Sequence, residues 1–599
     1  MINIKQVISL LNKDQKISGI FLFLLILISA FLDVLGVASI LPFMAILTNP
    51  KIIETNELLN FFYVYSSNFG IGNTNHFLVF LGIVVFLLLI MSLLFRAITL
   101  YAQWRFVMIC EHMISKTLIK KYLHQPYEWF LNQNTANLGK SILSEVDIVI
   151  GSVIMSLLII FSQSIVVSSI ILLLIFTNPI IALSAGLIFS ISYVIIFYFV
   201  KNILSLLGTE RLKANDGRYR TVSEAFGAYK DVKMKELENT YINKFSDHAK
   251  IYAFNRAKSM VIGQFPRFFI EGIAFGGMLL VILVLMGRYN NFDTILPVLS
   301  LFAFAGYRLI PSLQQIYYGL TSIKFAKPSF DTIYQDFKIL DILNKKRKNT
   351  PKFLFNKKVY IKNLYYKYPS MLKSNLNNIN ISIPAFSTIG IAGPSGSGKS
   401  TLISIILGLL KPSSGSLEVD DKVIDSTNIH SWQKIIGYVP QQIYISDSSI
   451  ASNIAFGIEE KKINHDLVIE AAKSANLHNF IVNDLNDKYE TVVGERGIRL
   501  SGGQLQRLGI ARALYTNPKI LVLDEATSSL DNATEKSVME SIYNLKNKIT
   551  IIIIAHRLDT IKNCDNIFLI KDGTLEDQGT YLELIKKSKL LKTLYNFEN

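Results

Sequence analysis

A glycine-rich segment at residues 393–400 has the residue types and spacing of a phosphate-binding loop. Its letters, GPSGSGKS, fit the pattern G-x-x-x-x-G-K-S/T, in which bare backbone N–H groups surround phosphate oxygens at the start of a helix. Lys399 would reach the β and γ phosphates of a nucleotide, and Ser400 would bind Mg²⁺. An apolar run at 389–392 and a helix-forming run at 401–403 supply the flanking strand and helix. The segment therefore predicts nucleotide binding.

Two acidic residues follow a second apolar run. Residues 520–523 are all aliphatic, and Asp524 and Glu525 come directly after them. An aspartate at a strand tip can hold Mg²⁺, and a neighbouring carboxylate can polarise an attacking water. Alone, the two acids could equally cap the next helix. Beside the phosphate loop they favour nucleotide hydrolysis.

The composition indicates a membrane protein with more than one domain. The chain has 599 residues, of which half are hydrophobic and 18% are charged, and its mean hydropathy is +0.36. The net charge of +16 comes mostly from lysine, which favours a membrane-topology signal over nucleic-acid binding, so we expect no nucleic-acid partner. Cys110 and Cys564 lie far apart, and neither has a histidine or another cysteine at the spacing of a metal site, which argues against a disulfide framework or a zinc site.

Six apolar segments are long enough to cross about 30 Å of hydrocarbon as helices. They lie near residues 19–47, 77–103, 153–176, 180–203, 263–287 and 292–319. The first has lysines before it, as a signal peptide does, but it runs on too far and lacks a small-residue cleavage site, so we expect it to be retained. The connections after the second and fourth segments carry most of the positive charge, which places them and both chain ends in the cytoplasm.

Beyond about residue 324 the pattern changes to that of a soluble α/β domain. A lysine-rich stretch near 344–351 is typical of a solvated linker. Short β-branched runs then alternate with helical stretches, at 388–392, 435–439, 520–523 and 550–554. We expect a membrane domain over 1–325, a linker over 326–355 and an α/β domain over 356–599.

From about residue 360 to 584 the chain resembles the ATP-binding cassette (ABC) family. The motifs that carry the resemblance are Tyr368-Pro369, Val439-Pro440-Gln441, Leu500-Ser501-Gly502-Gly503-Gln504, Asp524-Glu525 with Asp531, and Ile554-Ala555-His556-Arg557. Each has an ordinary reading alone, such as a packed aromatic for Tyr368 or a strand-end histidine for His556. Their shared order and spacing favour the family. The resemblance implies an α-helical transmembrane domain of six helices followed by an α/β P-loop NTPase domain of the ATP-binding-cassette type.

The resemblance also implies the role of each motif residue, with ATP and Mg²⁺ as cofactors. Glu525 would be the catalytic carboxylate and His556 the sensor of the γ-phosphate. The ATP-binding residues would be Tyr368, Gly393, Pro394, Ser395, Gly396, Ser397, Gly398, Lys399, Ser400, Thr401, Gln441, Ser501, Gly502, Gly503, Gln504 and Asp531. The Mg²⁺ ligands would be Ser400, Gln441 and Asp524.

The order of membrane domain and single cassette resembles the half-transporter exporters, which couple ATP hydrolysis to transport. In this family the signature 500–504 completes the ATP site of the opposite cassette, so the resemblance implies a homodimer. Two segments, Tyr127-Glu128-Trp129-Phe130 and Ser223-Glu224-Ala225-Phe226, lie where coupling helices occur in such proteins. Ordinary amphipathic helix is the alternative for both. A cassette protein of DNA repair or translation is a further alternative, against which the six apolar segments argue.

The membrane half resembles bacterial flippases of lipid-linked oligosaccharides around Arg267, Glu271 and Arg308. A lipid-linked oligosaccharide is therefore the expected substrate, moved across the bacterial inner membrane by a membrane-embedded multi-pass protein. The alternative is another amphiphile, such as lipid A core, a drug or a peptide. Ionised groups in apolar segments are costly and tend to face partners or a wet cavity, and a guanidinium suits phosphate oxygens. Arg308 could instead pair with an acid such as Glu271 or reach the inner interface.

Overall fold

The chain forms two compact units. The structure, a computed structural model, describes residues 2–588 except 68–72, 178, 289–295, 342–352, 354, 370, 372, 495–496, 527–530, 547 and 556–557. One unit comprises Met1–Gln125 and Asn132–Lys345, and the other comprises Pro126–Leu131 and Lys346–Asn599. The first is helical and the second mixes helices with two sheets. Residues 326–341 of the predicted linker are helical, because the last helix of the first unit continues to Asp341.

The helices of the first unit are long and mostly apolar. They are α1 (Ile4–Leu10), α2 (Lys13–Ala38), α3 (Ile40–Thr48), α4 (Ile52–Thr55), α5 (Glu57–Ser67), α6 (Thr74–Leu123), α8 (Thr135–Lys140), α9 (Val146–Val149), α10 (Met155–Thr177), α11 (Pro179–Gly227), α12 (Tyr229–Met234), α13 (Glu238–Arg288) and α14 (Leu296–Asp341); helix α7 (Tyr127–Leu131) belongs to the second unit. Single turns of π-helix at Ser141–Glu145 and Ile150–Ile154 flank α9.

Four described stretches are long and apolar enough to cross a membrane. They are Lys13–Thr48, Thr74–Leu123, Thr135–Phe176 and Ile191–Gly227; the first three contain the first three predicted spans, and the fourth overlaps the predicted span 180–203 over residues 191–203. The predicted span near 263–287 falls on α13, and the one near 292–319 falls on α14 except for residues 292–295, which lie outside the described residues; both stay predictions. Helices α6 and α13 have 50 and 51 residues, whereas about 20 suffice to span hydrocarbon. Both are therefore much longer than a membrane crossing needs.

A buried ion pair holds three helical segments of the first unit together. The guanidinium of Arg211 on α11 donates to both carboxylate oxygens of Glu145, at 3.1 and 3.0 Å, and also to Ser329 on α14. Asn215, one turn after Arg211, donates to Glu145 at 2.8 Å. Neither charged side chain is more than 1% exposed. Since a buried charge is tolerated only with a partner and further hydrogen bonds, this cluster defines how α11 packs.

Close packing of α11 on α14 beside this cluster requires a glycine. A Cβ atom on Gly208 would lie 2.1 Å from the carbonyl oxygen of Phe325, which no side chain can tolerate. Gly208 comes three residues before Arg211, so the glycine contact and the ion pair lie one helical turn apart.

The second unit contains two sheets. Its strands are β1 (Lys358–Tyr366), β2 (Leu376–Pro384), β3 (Thr388–Ala392), β4 (Ser414–Val419), β5 (Lys422–Val423), β6 (Ile436–Val439), β7 (Ile520–Asp524), β8 (Thr550–Ile554), β9 (Asn566–Lys571) and β10 (Thr574–Gly579). One sheet has the antiparallel order β2-β1-β4-β5, and the other has the order β10-β9-β3-β8-β7-β6, in which only β10 runs antiparallel to its neighbour. The predicted β-branched runs are thus strands of the parallel sheet, where both faces are buried.

The helices of the second unit surround these sheets. Besides α7 they are α15 (Lys399–Ile406), α16 (Ile429–Gln433), α17 (Ile450–Ile454), α18 (His465–Ser474), α19 (His478–Asp484), α20 (Gly502–Tyr515), α21 (Asn532–Tyr543) and α22 (Tyr581–Lys587). Strands β3, β7 and β8 are neighbours in the parallel sheet. Their carboxyl ends therefore share one edge, which is where ligands bind in such sheets.

Asp420, directly after β4, hydrogen-bonds to the beginning of β1. Its carboxylate accepts hydrogen bonds from the backbone N–H groups of residues 356, 357 and 358, at 2.7 to 2.9 Å. Burial alone would raise the pKa of Asp420, but these three donors hold it below its usual value. The charged form of Asp420 therefore stabilises this end of the sheet.

Candidate functional site

The glycine-rich loop connects β3 to α15 at the shared edge of the parallel sheet. Gly398 is the N-cap of α15 and has a φ of +103°, a left-handed conformation that glycine adopts without strain. Gly393 also needs to be glycine, because a Cβ there would lie 2.0 Å from the carbonyl oxygen of Ile570. The loop is thus shaped by close backbone contacts, as the spacing of its glycines predicts.

Lys399 lies at the centre of the loop. Its ammonium donates to the carbonyl oxygens of Gly393 and Pro394, at 2.7 and 2.9 Å. Burial lowers the pKa of Lys399, while the carboxylates of Glu525 and Asp524 act in the opposite direction. The ammonium therefore lies near both predicted acids, although the phosphate loop and the acids are more than 120 residues apart in the sequence.

The loop residues fit a phosphate ligand. The hydroxyl oxygen of Ser397 is buried without a hydrogen-bond partner, and buried polar atoms in proteins are normally satisfied. A Cβ on Gly396 would meet nothing within 4 Å, so space remains beside the exposed residues Ser395 and Gly396. A helix N-terminus, a buried ammonium and an unsatisfied hydroxyl together suit an anion.

The predicted acids and Gln441 are brought together at the end of β7. The side-chain amide of Gln441 donates to Glu525 at 2.6 Å. Glu525 has a φ of +50°, and its backbone N–H donates to the carbonyl oxygen of Ile554, the last residue of β8, at 3.0 Å. Left-handed backbone at a residue other than glycine is uncommon and clusters at functional sites.

Asp524, the last residue of β7, has a partner that the sequence motifs did not reveal. The hydroxyl of Tyr438 on β6 donates to the Asp524 carboxylate at 3.3 Å, and burial, with the charge of Asp524, raises the pKa of Tyr438. The oxygens of Ser400, Gln441 and Asp524 are of the kind that Mg²⁺ prefers. The donor set of the predicted Mg²⁺ ligands therefore suits that ion.

Tyr368, the predicted adenine-stacking residue, follows β1 after one intervening residue. Its hydroxyl lies 3.4 Å from the hydroxyl of Thr401 on α15, which ties it to the phosphate-loop helix. Its ring packs edge-on against Tyr366, with ring centroids 5.0 Å apart. Tyr368 therefore borders the same loop as Lys399, as the resemblance implies.

The signature residues form the start of α20. Ser501 is its N-cap and makes a capping box with Gln504, through bonds of 2.7 and 3.2 Å. Through this capping box, each of the two side chains accepts a hydrogen bond from the backbone N–H of the other residue. Gly502 and Gly503 open the helix, so its N-terminal end carries the partial positive charge that suits an anion.

The remaining predicted residues fall near or outside the described part of the site. Asp531 is the N-cap of α21, and its hydrogen bonds with Thr534 lower the pKa of Asp531. His556 and residues 527–530 lie outside the described residues, so the role of His556 stays a prediction.

In the membrane half, the three predicted substrate residues form two separate ion pairs. Arg267 and Glu271 lie one turn apart on α13 and pair at 2.7 Å. Arg308 on α14 pairs with Asp33 on α2, so the alternative that it pairs with an acid is confirmed, but the acid is Asp33 and not Glu271. The physical reason is that Glu271 has a local partner at helical spacing, whereas Arg308 faces another helix.

Asp33 has further partners on α6. Ser92 donates a hydrogen bond to it, and Arg96, one turn after Ser92, interacts electrostatically with both Asp33 and Arg308. Asp33 is 5% exposed. Two guanidinium groups thus accompany a single carboxylate. The sequence shows Arg96 only as a cation inside an apolar segment, a signal that could have identified it.

Family models match both the helical membrane region and the cassette of this chain. The model of the ABC transporter transmembrane region matches residues 20–308, and that of the ABC transporter ATP-binding domain matches residues 376–528. ABC transporter B family member 1 of Dictyostelium discoideum is 30% identical over 82% of this chain and 54% of its own length. The ATP-dependent lipid A-core flippase of Saccharophagus degradans is 39% identical over 44% of each chain.

A solved structure matches the fold over nearly the whole length. It is a bacterial Atm1-family ABC exporter with ATP bound, with a TM-score of 0.79 and 22% identity over 97% of this chain and 99% of that one. The chain spans about half the length of the Dictyostelium relative, and the match to the Arabidopsis thaliana ABC transporter B family member 14 covers 18% of that relative. The chain belongs to the ABC transporter family, and it has the fold of an exporter-type half-transporter, with a helical membrane region followed by one ATP-binding cassette.

Proposed function

We propose that this chain is one half of a homodimeric ABC exporter, an ATPase that flips a lipid-linked oligosaccharide across the bacterial inner membrane. Its cassette and both chain ends would lie in the cytoplasm. The observation that carries the choice of an anionic lipid is the excess of guanidinium groups, Arg96 and Arg308, around the single carboxylate of Asp33. A pyrophosphate-linked lipid offers the oxygens that such groups bind best.

The cassette residues support hydrolysis rather than binding alone. Lys399 and the loop N–H groups would counter the phosphate charge, and Glu525 would orient or deprotonate the attacking water. Mg²⁺, held by Ser400, Gln441 and Asp524, would supply further charge neutralisation when bound. Gln441 donates to one oxygen of the Glu525 carboxylate at 2.6 Å, and this hydrogen bond orients the carboxylate for its role with the attacking water.

The arrangement of the signature supports a dimer. Ser501 and Gln504 cap the start of α20, and the N-terminal end of a helix attracts anions, so this end can receive a phosphate from a second copy. A mixture of Lys399→Ala and Gly503→Asp chains tests this, because each mixed dimer keeps one intact composite site. ATPase activity regained on mixing two inactive variants supports the homodimer, and no gain on mixing contradicts it.

Transport is tested in proteoliposomes with a fluorescent lipid-linked oligosaccharide. We expect ATP-dependent movement of the labelled glycan across the bilayer by the wild-type protein and none by Glu525→Gln. Arg308→Gln should weaken the substrate response more than Arg308→Lys, which keeps the charge. If the wild type moves no more glycan than Glu525→Gln, the proposed substrate is wrong.

Flipping of lipid A core is the second candidate, favoured by the 39% identity to an ATP-dependent lipid A-core flippase. In the same proteoliposomes, ATPase activity is measured with lipid A or with lipid-linked oligosaccharide. Stimulation by lipid A alone would assign this second substrate.

A further inference from the structure

The short helix α7 packs with the cassette although it lies between two membrane segments in the sequence. Pro126–Leu131 belongs to the same compact unit as Lys346–Asn599. Within that unit, the carboxylate of Glu128 accepts a hydrogen bond of 3.3 Å from the hydroxyl of Tyr366. This bond joins residues 238 positions apart.

Tyr366 is the last residue of β1 and is 2% exposed. Burial, followed by the charge of Glu128, raises the pKa of Tyr366, so its hydroxyl stays protonated and donates. The hydrogen bond to Glu128 therefore fixes the position of the Tyr366 hydroxyl, and with it the orientation of the ring. The ring lies in the apolar core of this unit and packs edge-on against Tyr368, at an interplanar angle of 90°.

Tyr368 continues this chain of contacts into the nucleotide site. Its hydroxyl lies 3.4 Å from the hydroxyl of Thr401, directly after the phosphate loop. Edge-to-face aromatic pairs have a preferred geometry, so a change in the Tyr366 ring changes the orientation open to Tyr368. Glu128, Tyr366, Tyr368 and Thr401 thus form a continuous path from α7 to the loop.

We infer that Tyr366 is a positioning residue for nucleotide binding: its hydroxyl, anchored on Glu128, orients the ring of Tyr368 for the nucleotide base. The inference rests on the proposed function of the cassette as an ATP site. It adds two residues to those that act in nucleotide binding. Tyr366 lies outside the family motifs, and Glu128 lies between two membrane segments in the sequence.

The experiment measures equilibrium binding to the full-length chain in nanodiscs, without hydrolysis. Fluorescent ATP is displaced by Mg·ATP or by Mg·tripolyphosphate, which has phosphates but no base. We expect Tyr366→Phe and Glu128→Met, which each remove one partner of the bond, to weaken ATP about three- to tenfold, the range for loss of one hydrogen bond, and to leave tripolyphosphate within about twofold. The double variant should be no weaker than either single variant, because both remove the same bond.

Tyr365→Phe is the matched control, since the neighbouring tyrosine is 39% exposed and points to the other face of β1. It should bind ATP like the wild type. Unchanged ATP affinity in Tyr366→Phe, equal weakening of ATP and tripolyphosphate, or additive effects in the double variant would overturn the inference. Absence of ATP binding by the wild type would instead overturn the proposed function, so the two failures are distinguishable.

Discussion

Removing the charge of Glu145 should destabilise the membrane unit strongly. Glu145 and Arg211 are each at most 1% exposed and joined by two hydrogen bonds of 3.0 and 3.1 Å. Glu145→Gln leaves the guanidinium of Arg211 buried with only the hydroxyl of Ser329 and a neutral amide as acceptors. Breaking a buried pair from one side costs about 3 to 5 kcal/mol. At roughly 2 °C per kcal/mol for a unit of this size, the apparent unfolding temperature should fall by about 6 to 10 °C.

The assay is thermal unfolding of the nucleotide-free protein in nanodiscs, at one heating rate because membrane proteins often unfold irreversibly. A second variant, Glu145→Leu with Arg211→Met, replaces both partners by apolar groups and should recover most of the loss, since a well-packed apolar substitute is often neutral. If Glu145→Gln unfolds within about 2 °C of the wild type, the guanidinium of Arg211 does not depend on Glu145 as its burial indicates. If the double variant is as unstable as Glu145→Gln, the loss comes from packing instead.

Glu525→Gln should lower ATP hydrolysis by at least about 100-fold, the range for loss of a general base, while fluorescent-ATP binding stays near wild type; parallel loss of binding would contradict its catalytic role. Asp420→Asn should cost about 1 to 2 kcal/mol at neutral pH, because an amide accepts less strongly from the three backbone donors. Because the folded pKa of Asp420 is lowered, its contribution is present above the usual Asp value of about 4 and is lost as the pH falls through the folded pKa, so unfolding scans of the wild type against Asp420→Asn should converge at low pH. Gly208→Ala should lower the unfolding temperature, because its Cβ would meet the Phe325 carbonyl oxygen at 2.1 Å, whereas Gly151→Ala, with nothing within 4 Å, should not; equal behaviour of the two glycine variants would contradict the close approach.

The contiguous parts of the nucleotide site were predictable without coordinates. The phosphate loop at 393–400, the strand ending in Asp524 and the helix that begins after Ser501 are each local patterns, and their chemistry depends on neighbours in the sequence. The parallel strands β3, β7 and β8 follow from short β-branched runs for the same reason. A short, continuous apolar run that is rich in β-branched residues indicates such a buried strand before any long-range contact is known.

Side-chain partners across elements were not predictable. Residue types suggested Glu271 as an acid that could pair with Arg308. In the structure, Arg267, one turn before Glu271, pairs with it. Arg308 pairs instead with Asp33, which lies far away in the sequence. A single sequence shows which charges need partners but not which helix faces meet.

The sequence by itself therefore determined the class of protein: a helical membrane region followed by a cassette, with the motif residues that would bind and hydrolyse ATP. The tertiary structure alone decided the long-range contacts, such as Tyr366 with Glu128 and Arg211 with Glu145. The physical reason is that backbone periodicity and loop chemistry act over a few residues. Hydrogen bonds between distant side chains depend instead on how whole elements pack, which sequence spacing does not encode.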